Sequence, residues 1–214
     1  MTAVAKNTVQ TLDHPLVAHK LSILRNKETP SHQFRQTLHE LSWLLAFPAF
    51  QMLRLVSVDI ETPLEKLRAQ TLPDPLPCLV SILRAGNGLI DGFSQICPEA
   101  SVGHLGLYRD HETAKPISYY TSLPSQMDKR QVILGDPMLA TGGSALLAIE
   151  TLRDMQVDDI VFACLVAAPE GVKAVHSRFP DVPIVTAALD RELNEQSYIL
   201  PGLGDAGDRI YGTV

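Results

Sequence analysis

The sequence has no long hydrophobic run, no basic cluster and few cysteines, and each shortage removes a class of function. The longest apolar run, Ile160 to Ala168, falls far short of the roughly 20 residues a membrane-crossing helix needs. The opening MTAVAKNTVQTLDH lacks the basic head, apolar middle and small-residue cleavage site of a secretory signal, so the expected location is the cytoplasm. Cys78, Cys97 and Cys164 are an odd number without CxxC spacing, and reduced, buried thiols are expected rather than a disulfide framework. The net charge is −6 with no run of Lys or Arg, which argues against nucleic acid as the main partner, because neutralising phosphates takes clustered cations. The seven histidines are dispersed without an HExxH pair, and there is no GxSxG elbow; neither a tightly bound zinc nor a serine nucleophile is expected.

At 214 residues, 45% hydrophobic and 20% charged, the chain reads as one α/β domain spanning residues 1–214. Residues 1–60 form its N-terminal helical part. Asp13 is expected to cap a helix over Pro15 to Leu24. Ser31 is expected to cap a longer one, in which Phe34, Leu38, Leu41 and Leu45 recur at helical spacing. Beyond Cys78, apolar strands (78–83, 102–107, 132–134, 160–167 and 184–189) alternate with helical segments (89–96, 144–155 and 170–179), the pattern of a mainly parallel sheet flanked by helices. Residues 108–124 are too polar and proline-broken for a helix and are expected to form a β-hairpin arm. Residues 197–214 are expected to form a glycine-rich loop.

Chemistry is concentrated in four stretches. In GDPMLATGGSALL, residues 135–147, a strand runs through a glycine turn into a helix, where free N–H groups and the hydroxyls of Thr141 and Ser144 can surround a phosphate. The spacing and the missing lysine disfavour a Walker-type loop. Asp136 heads the turn at the carboxyl end of its strand, where it either accepts hydrogen bonds from a sugar diol or only caps the turn before Pro137. A diol and a phosphate together describe ribose 5-phosphate. In SILRAGNGLIDG, residues 81–92, a second strand ends in Arg84 and a small, glycine-containing turn. It reads as a second anion site with a guanidinium added, or as a surface ion pair at a tight corner. Arg109 follows a third strand, on the same edge as Arg84 if the strands are parallel, or pairs with Asp110 or Glu112. In SYILPGLGDAGDRIYGT, residues 197–213, glycines, a proline, Asp205, Asp208 and Arg209 read as an ordered, ligand-facing loop with backbone edges suited to a planar heterocycle.

These stretches, together with VGHLGLYRDHET, HPLVAHKLSILRNKET and IETPLEKL, resemble the uracil phosphoribosyltransferase family of type I phosphoribosyltransferases along nearly the whole chain. The resemblance implies that uracil and phosphoribosyl pyrophosphate (PRPP) give UMP and pyrophosphate, with Mg2+ carried by PRPP and no direct protein metal ligand. It implies a catalytic role for Arg84 and Asp205. PRPP would lie on Arg84, Arg109, Asp136, Pro137, Met138, Leu139, Ala140, Thr141, Gly142, Gly143, Ser144 and Asp205, and uracil on Ile199, Gly204, Asp205 and Ala206. It further implies a homodimer or higher homo-oligomer, and GTP as an effector in some members. Residues 44–58 look less typical of the family, and Pro137 stands where the wider superfamily has a second acid. The rivals are transfer to another nucleobase and a non-catalytic nucleotide sensor on the same fold that binds RNA; the acidic composition disfavours the latter.

Overall fold

The computed structural model describes residues 8–109 and 116–213, with Arg109 and Pro116 described by their backbone alone. In chain order the elements are β1 (Val9–Thr11), α1 (Pro15–Arg25), α2 (Ser31–Phe50), β2 (Val56–Glu61), β3 (Lys66–Thr71), β4 (Cys78–Leu83), α3 (Asn87–Ile96), β5 (Ser101–Arg109), β6 (Pro116–Ser122), β7 (Val132–Gly135), β8 (Met138–Leu139), α4 (Gly143–Asp154), β9 (Ile160–Ala167), α5 (Pro169–Arg178), β10 (Ile184–Leu189), β11 (Glu192–Leu193), β12 (Ile199–Leu200) and α6 (Ala206–Tyr211). The main sheet runs β1-β10-β9-β7-β4-β5-β6, with the short β8 also on β9. Every pairing in it is parallel except β5 with β6.

The central strands are continuously apolar because helices cover both faces. All of β9 is buried, and from Ile160 to Leu165 its side chains alternate between two cores. Val161, Ala163 and Leu165 pack with α1, α2, α3 and α6, while Ile160, Phe162 and Cys164 pack with α4 and α5. Phe34, Leu38, Leu41 and Leu45 form the buried stripe of α2, as their spacing requires. The three cysteines are unpaired and buried. Burial pushes the thiols of Cys78 and Cys164 up to about 12, which makes them inert packing groups.

Several local expectations are corrected. His14, not Asp13, caps α1: its Nδ1 accepts from the Leu16 amide at 3.1 Å. Pro15 occupies the first helical position and holds the preceding residue extended, which moves the cap to His14. Ser31 is the first residue inside α2, after an extended Pro30 with no side-chain cap. The N-terminal part also contains β1, parallel to β10, and the start of a separate β2–β3 hairpin. The hairpin expected over 108–124 forms, with its strands built into the sheet: β5 continues to Arg109, and β6 returns antiparallel along the edge from Pro116. Its middle, residues 110–115, lies outside the described residues. The C-terminal stretch is more regular than its glycines imply, since it holds β12 and α6.

Candidate active site

Two strand ends set the site. Parallel pairing places Ser81 of β4 beside Gly135 of β7, so Arg84 and Asp136 leave the sheet on the same edge. The β4 corner turns sharply into α3. Ser81 Oγ donates to Asn87 Oδ1 at 2.7 Å, and a Cβ on Gly86 would stand 2.5 Å from the Ile82 carbonyl and 2.6 Å from that of Gly135. Glycine at 86 therefore lets the two corners touch. Arg84 is exposed, and among the described residues no carboxylate pairs with it. Its guanidinium carbon lies 5.1 Å from the centroid of the Tyr211 ring.

The β7 corner is built differently. The Pro137 carbonyl accepts from the amides of Leu165 and Val166, and Leu139 pairs with Ala167 and is buried. Pro137 and Leu139 thus tie the loop to β9, while Met138 and Ala140 face the cleft. Thr141 and Gly143 are half-buried, and Ser144 is exposed at the rim. Gly142 starts α4 at φ +84°, a left-handed conformation that suits glycine, and no side chain caps the helix there. The first turn of α4 can therefore meet an anion with its own amides.

Asp136 is half-buried at the floor of this corner. Burial pushes its carboxyl up to about 7; the Asp205 charge adds to the rise, and a hydrogen bond from the Met138 amide opposes it. That turn-capping bond is long, at 3.5 Å, so the carboxylate keeps acceptor capacity toward the cleft.

The third wall is the C-terminal stretch. Arg25 grips Asp190 with two hydrogen bonds of 2.6 and 2.8 Å, and both residues hold Gly202: Arg25 donates to its carbonyl at 2.8 Å, and Asp190 accepts its amide at 2.9 Å. Asp205 caps α6 by accepting from the Asp208 amide at 3.0 Å. Arg209 turns inward, donating to the carbonyls of Leu24, Leu203 and Asn26, with its guanidinium carbon 4.4 Å from the Phe34 ring centroid. Asp208 accepts from the Thr213 hydroxyl at 2.6 Å. Asp208 and Arg209 thus hold the stretch in shape; of its charged groups, Asp205 reaches the cleft.

Together these walls enclose a cleft of about 390 Å³ lined by Arg84, Ala85, Asp136, Met138, Ala140, Ser144, Ser197, Tyr198, Ile199, Gly204, Asp205, Ala206 and Gly207. It gathers a guanidinium, a hydroxyl, two carboxylates and a peptide-lined side, groups that can meet phosphate, a diol and a flat ring. Arg109 ends β5, the neighbour of β4, on the same edge. Sequence reasoning missed Ala85, Ser197, Tyr198 and Gly207.

The family model for uracil phosphoribosyltransferase matches residues 11–213. The chain is 51% identical to the uracil phosphoribosyltransferase of Acidovorax sp. (strain JS42), over 97% of this chain and 99% of that one. It is also 51% identical to that of Lactococcus lactis subsp. cremoris (strain MG1363), over 95% and 98%. The solved structure of the AQ2163 protein from Aquifex aeolicus is similar with a TM-score of 0.87 at 36% identity, covering 95% of this chain and 98% of that one. Adenine phosphoribosyltransferase from Leishmania donovani, at 14% identity and a TM-score of 0.56 over 91% and 88%, shares the fold. The parallel sheet, the two glycine corners on one edge and the near full-length identity agree, and the chain belongs to the uracil phosphoribosyltransferase family.

Proposed function

We propose that the chain transfers the phosphoribosyl group of PRPP to uracil, giving UMP and pyrophosphate. Family membership supports the reaction. The observation that carries the residue assignment is the convergence of Arg84, Asp136 and the Ile199 and Gly204–Ala206 backbone on one cleft. In this reading the 5-phosphate lies on the first turn of α4 and the loop from Asp136 to Ser144, with Asp136 accepting from the ribose hydroxyls. Arg84 and Arg109 take the pyrophosphate. Uracil is read by the backbone of Ile199, Gly204, Asp205 and Ala206, and Asp205 also faces the donor.

The ring nitrogen of uracil forms a bond to the anomeric carbon as the bond from that carbon to pyrophosphate oxygen breaks. The C–O electron pair leaves with pyrophosphate, and the nitrogen's proton passes to water or to the departing pyrophosphate oxygens. Positioning the two ligands and holding the departing charge on Arg84 do most of the work, without a strong base. Among the described residues no group of three or more His, Cys, Asp or Glu is placed to hold a metal, and the cleft offers two carboxylates, Asp136 and Asp205. That donor set fits an ion that would arrive on the oxygens of PRPP, with Asp136 and Asp205 the carboxylates able to meet it; Mg2+ would supply charge neutralisation of the pyrophosphate.

We further place the enzyme in the cytoplasm, where its unpaired thiols stay reduced, and read it as a homodimer. The β2–β3 hairpin leaves Val56, Ile60 and Leu67 exposed, and Leu64 at its tip is 95% exposed, apolar surface that a second copy would cover. No helix among the described residues is long and apolar enough to cross a membrane.

The deciding experiment is Mg2+-dependent release of pyrophosphate from PRPP with and without uracil, beside cytosine, hypoxanthine and orotate. Release that requires uracil is expected. Equal release without it, or a preference for another base, overturns the reading. Adding GTP to the same assay tests it as an effector.

A further inference from the structure

We propose that Tyr211 is a positioning residue that holds Arg84 aimed at the departing pyrophosphate and links it to the base-binding wall. The proposal rests on the reading of Arg84 given above. Two contacts converge on that arginine from this one side chain: the Tyr211 hydroxyl donates to the Arg84 carbonyl at 2.9 Å, and its ring lies beneath the guanidinium, 5.1 Å from centroid to carbon.

The chemistry of the contact separates it from an ion pair. A carboxylate partner would take up the arginine's donors and charge, and a phosphate would have to displace it. An aromatic face restricts the guanidinium while leaving its in-plane N–H groups free for an anion. Arg84 has no carboxylate partner among the described residues, and Tyr211 is 41% exposed, so the pair sits where a ligand can reach it.

Tyr211 also sits at the end of α6, whose cap Asp205 and first residues, Ala206 and Gly207, line the same cleft. The helix is anchored to the body: Arg209 donates to carbonyls of the α1 end, and Arg35 of α2 donates to the Ile210 carbonyl at 2.7 Å. A rigid short helix thus presents backbone to the base at its start and a tyrosine to the pyrophosphate arginine at its end. One anchored helix carries both the base-facing backbone and the tyrosine that holds Arg84, each through its own contacts.

The test uses the full-length enzyme, with steady-state constants measured separately for PRPP and uracil. Tyr211→Phe removes the hydroxyl bond and keeps the ring; kcat/KM for PRPP should fall by about 5-fold, the scale of one hydrogen bond. Tyr211→Leu removes both contacts and should lower it by roughly 10- to 30-fold, with uracil KM changing less than about 2-fold. In an Arg84→Ala background the Tyr211→Leu change should add less than about 2-fold, because the residue acts through Arg84. An undiminished effect in that background, a shift confined to uracil KM, or wild-type constants in both single variants overturns the proposal. The wild-type enzyme run alongside separates this outcome from a failure of the overall reaction, and if Tyr211→Leu does not fold, Tyr211→Phe with and without Arg84→Ala decides.

Discussion

The corner from β4 into α3 and the corner from β7 into α4 follow one backbone plan, a strand end, a glycine turn and a helix, yet they place opposite charges in opposite settings. The first exposes Arg84 at the rim; the second holds Asp136 half-buried at the floor. Protonation chemistry accounts for the division. A guanidinium cannot shed its charge, so it stays at the rim where water solvates it until a ligand arrives. A carboxyl can, so Asp136 can be buried in the free protein at the expense of a raised proton affinity. The glycines divide as well. Gly86 has an ordinary φ of −57° and is small because the other corner touches it, whereas Gly142 has room for little more but is needed for its φ of +84°.

The sharpest way to break this contrast is Asp136→Asn. The carboxyl is raised from 3.8 to about 7 in the folded chain, so between those values the folded state holds a proton that the unfolded state does not. Stability therefore falls as pH rises from about 4 to about 7, by at most ~4 kcal/mol, and is level above that. Asparagine cannot ionise. The variant should be more stable than the parent at pH 8, with the advantage shrinking by pH 5, as read from urea midpoints at both values. PRPP binding should weaken more than uracil binding in titrations of the same variant. Equal midpoints at pH 8 would put Asp136 in water and remove the distinction between floor and rim.

Arg84→Ala should show the reverse profile. Loss of a preorganised donor at the departing charge should lower turnover by on the order of 10²-fold, ~2.7 kcal/mol. The side chain is exposed, so urea midpoints should move by no more than about 0.5 kcal/mol in stability. If the stability loss instead matches the kinetic loss, Arg84 is holding the corner together and is not reserved for a ligand.

How much of this was legible in the sequence follows from which interactions are local. β4, β9 and β10 fall on the residues marked by their apolar runs, because strands buried on both faces must be apolar throughout. Residues at strand ends were legible for the same reason: once the strands are parallel, their carboxyl ends share an edge. β1 was not, being three residues long and defined by its pairing to β10, far along the chain. The β2–β3 hairpin was missed although Val56, Val58 and Ile60 alternate with Ser57, Asp59 and Glu61; both faces of the ribbon are mostly exposed, so the alternation marks no core-facing side. α6 was hidden because long-range bonds hold it, from its Arg209 to the Leu24 carbonyl and from Arg35 of α2 to its Ile210 carbonyl, which propensity cannot report. The same distance explains the misreading of Asp208 and Arg209. Their charges were visible, but the inward turn of Arg209 depends on Leu24, Asn26 and Phe34 of the α1–α2 region, and Asp208 is engaged by the Thr213 hydroxyl.

The smallest expected effect tests the glycine half of the contrast. An alanine at 142 must adopt φ near +84°, which costs roughly 1–2 kcal/mol, and its Cβ would stand 3.1 Å from the Ala174 Cβ and 3.2 Å from the Gly171 carbonyl. Gly142→Ala should lower the urea midpoint accordingly and raise the PRPP KM several-fold, because the first turn of α4 shifts, while leaving uracil KM near the parent value. Gly142→Asn separates the two sources of cost. It brings at least the same Cβ contacts, with a carboxamide beyond them, but asparagine tolerates the left-handed region better than alanine. A milder loss for asparagine than for alanine identifies backbone conformation as the reason for glycine there. Equal losses would mean that contact with α5 sets the requirement, and Gly142 would then be glycine for the same steric reason as Gly86.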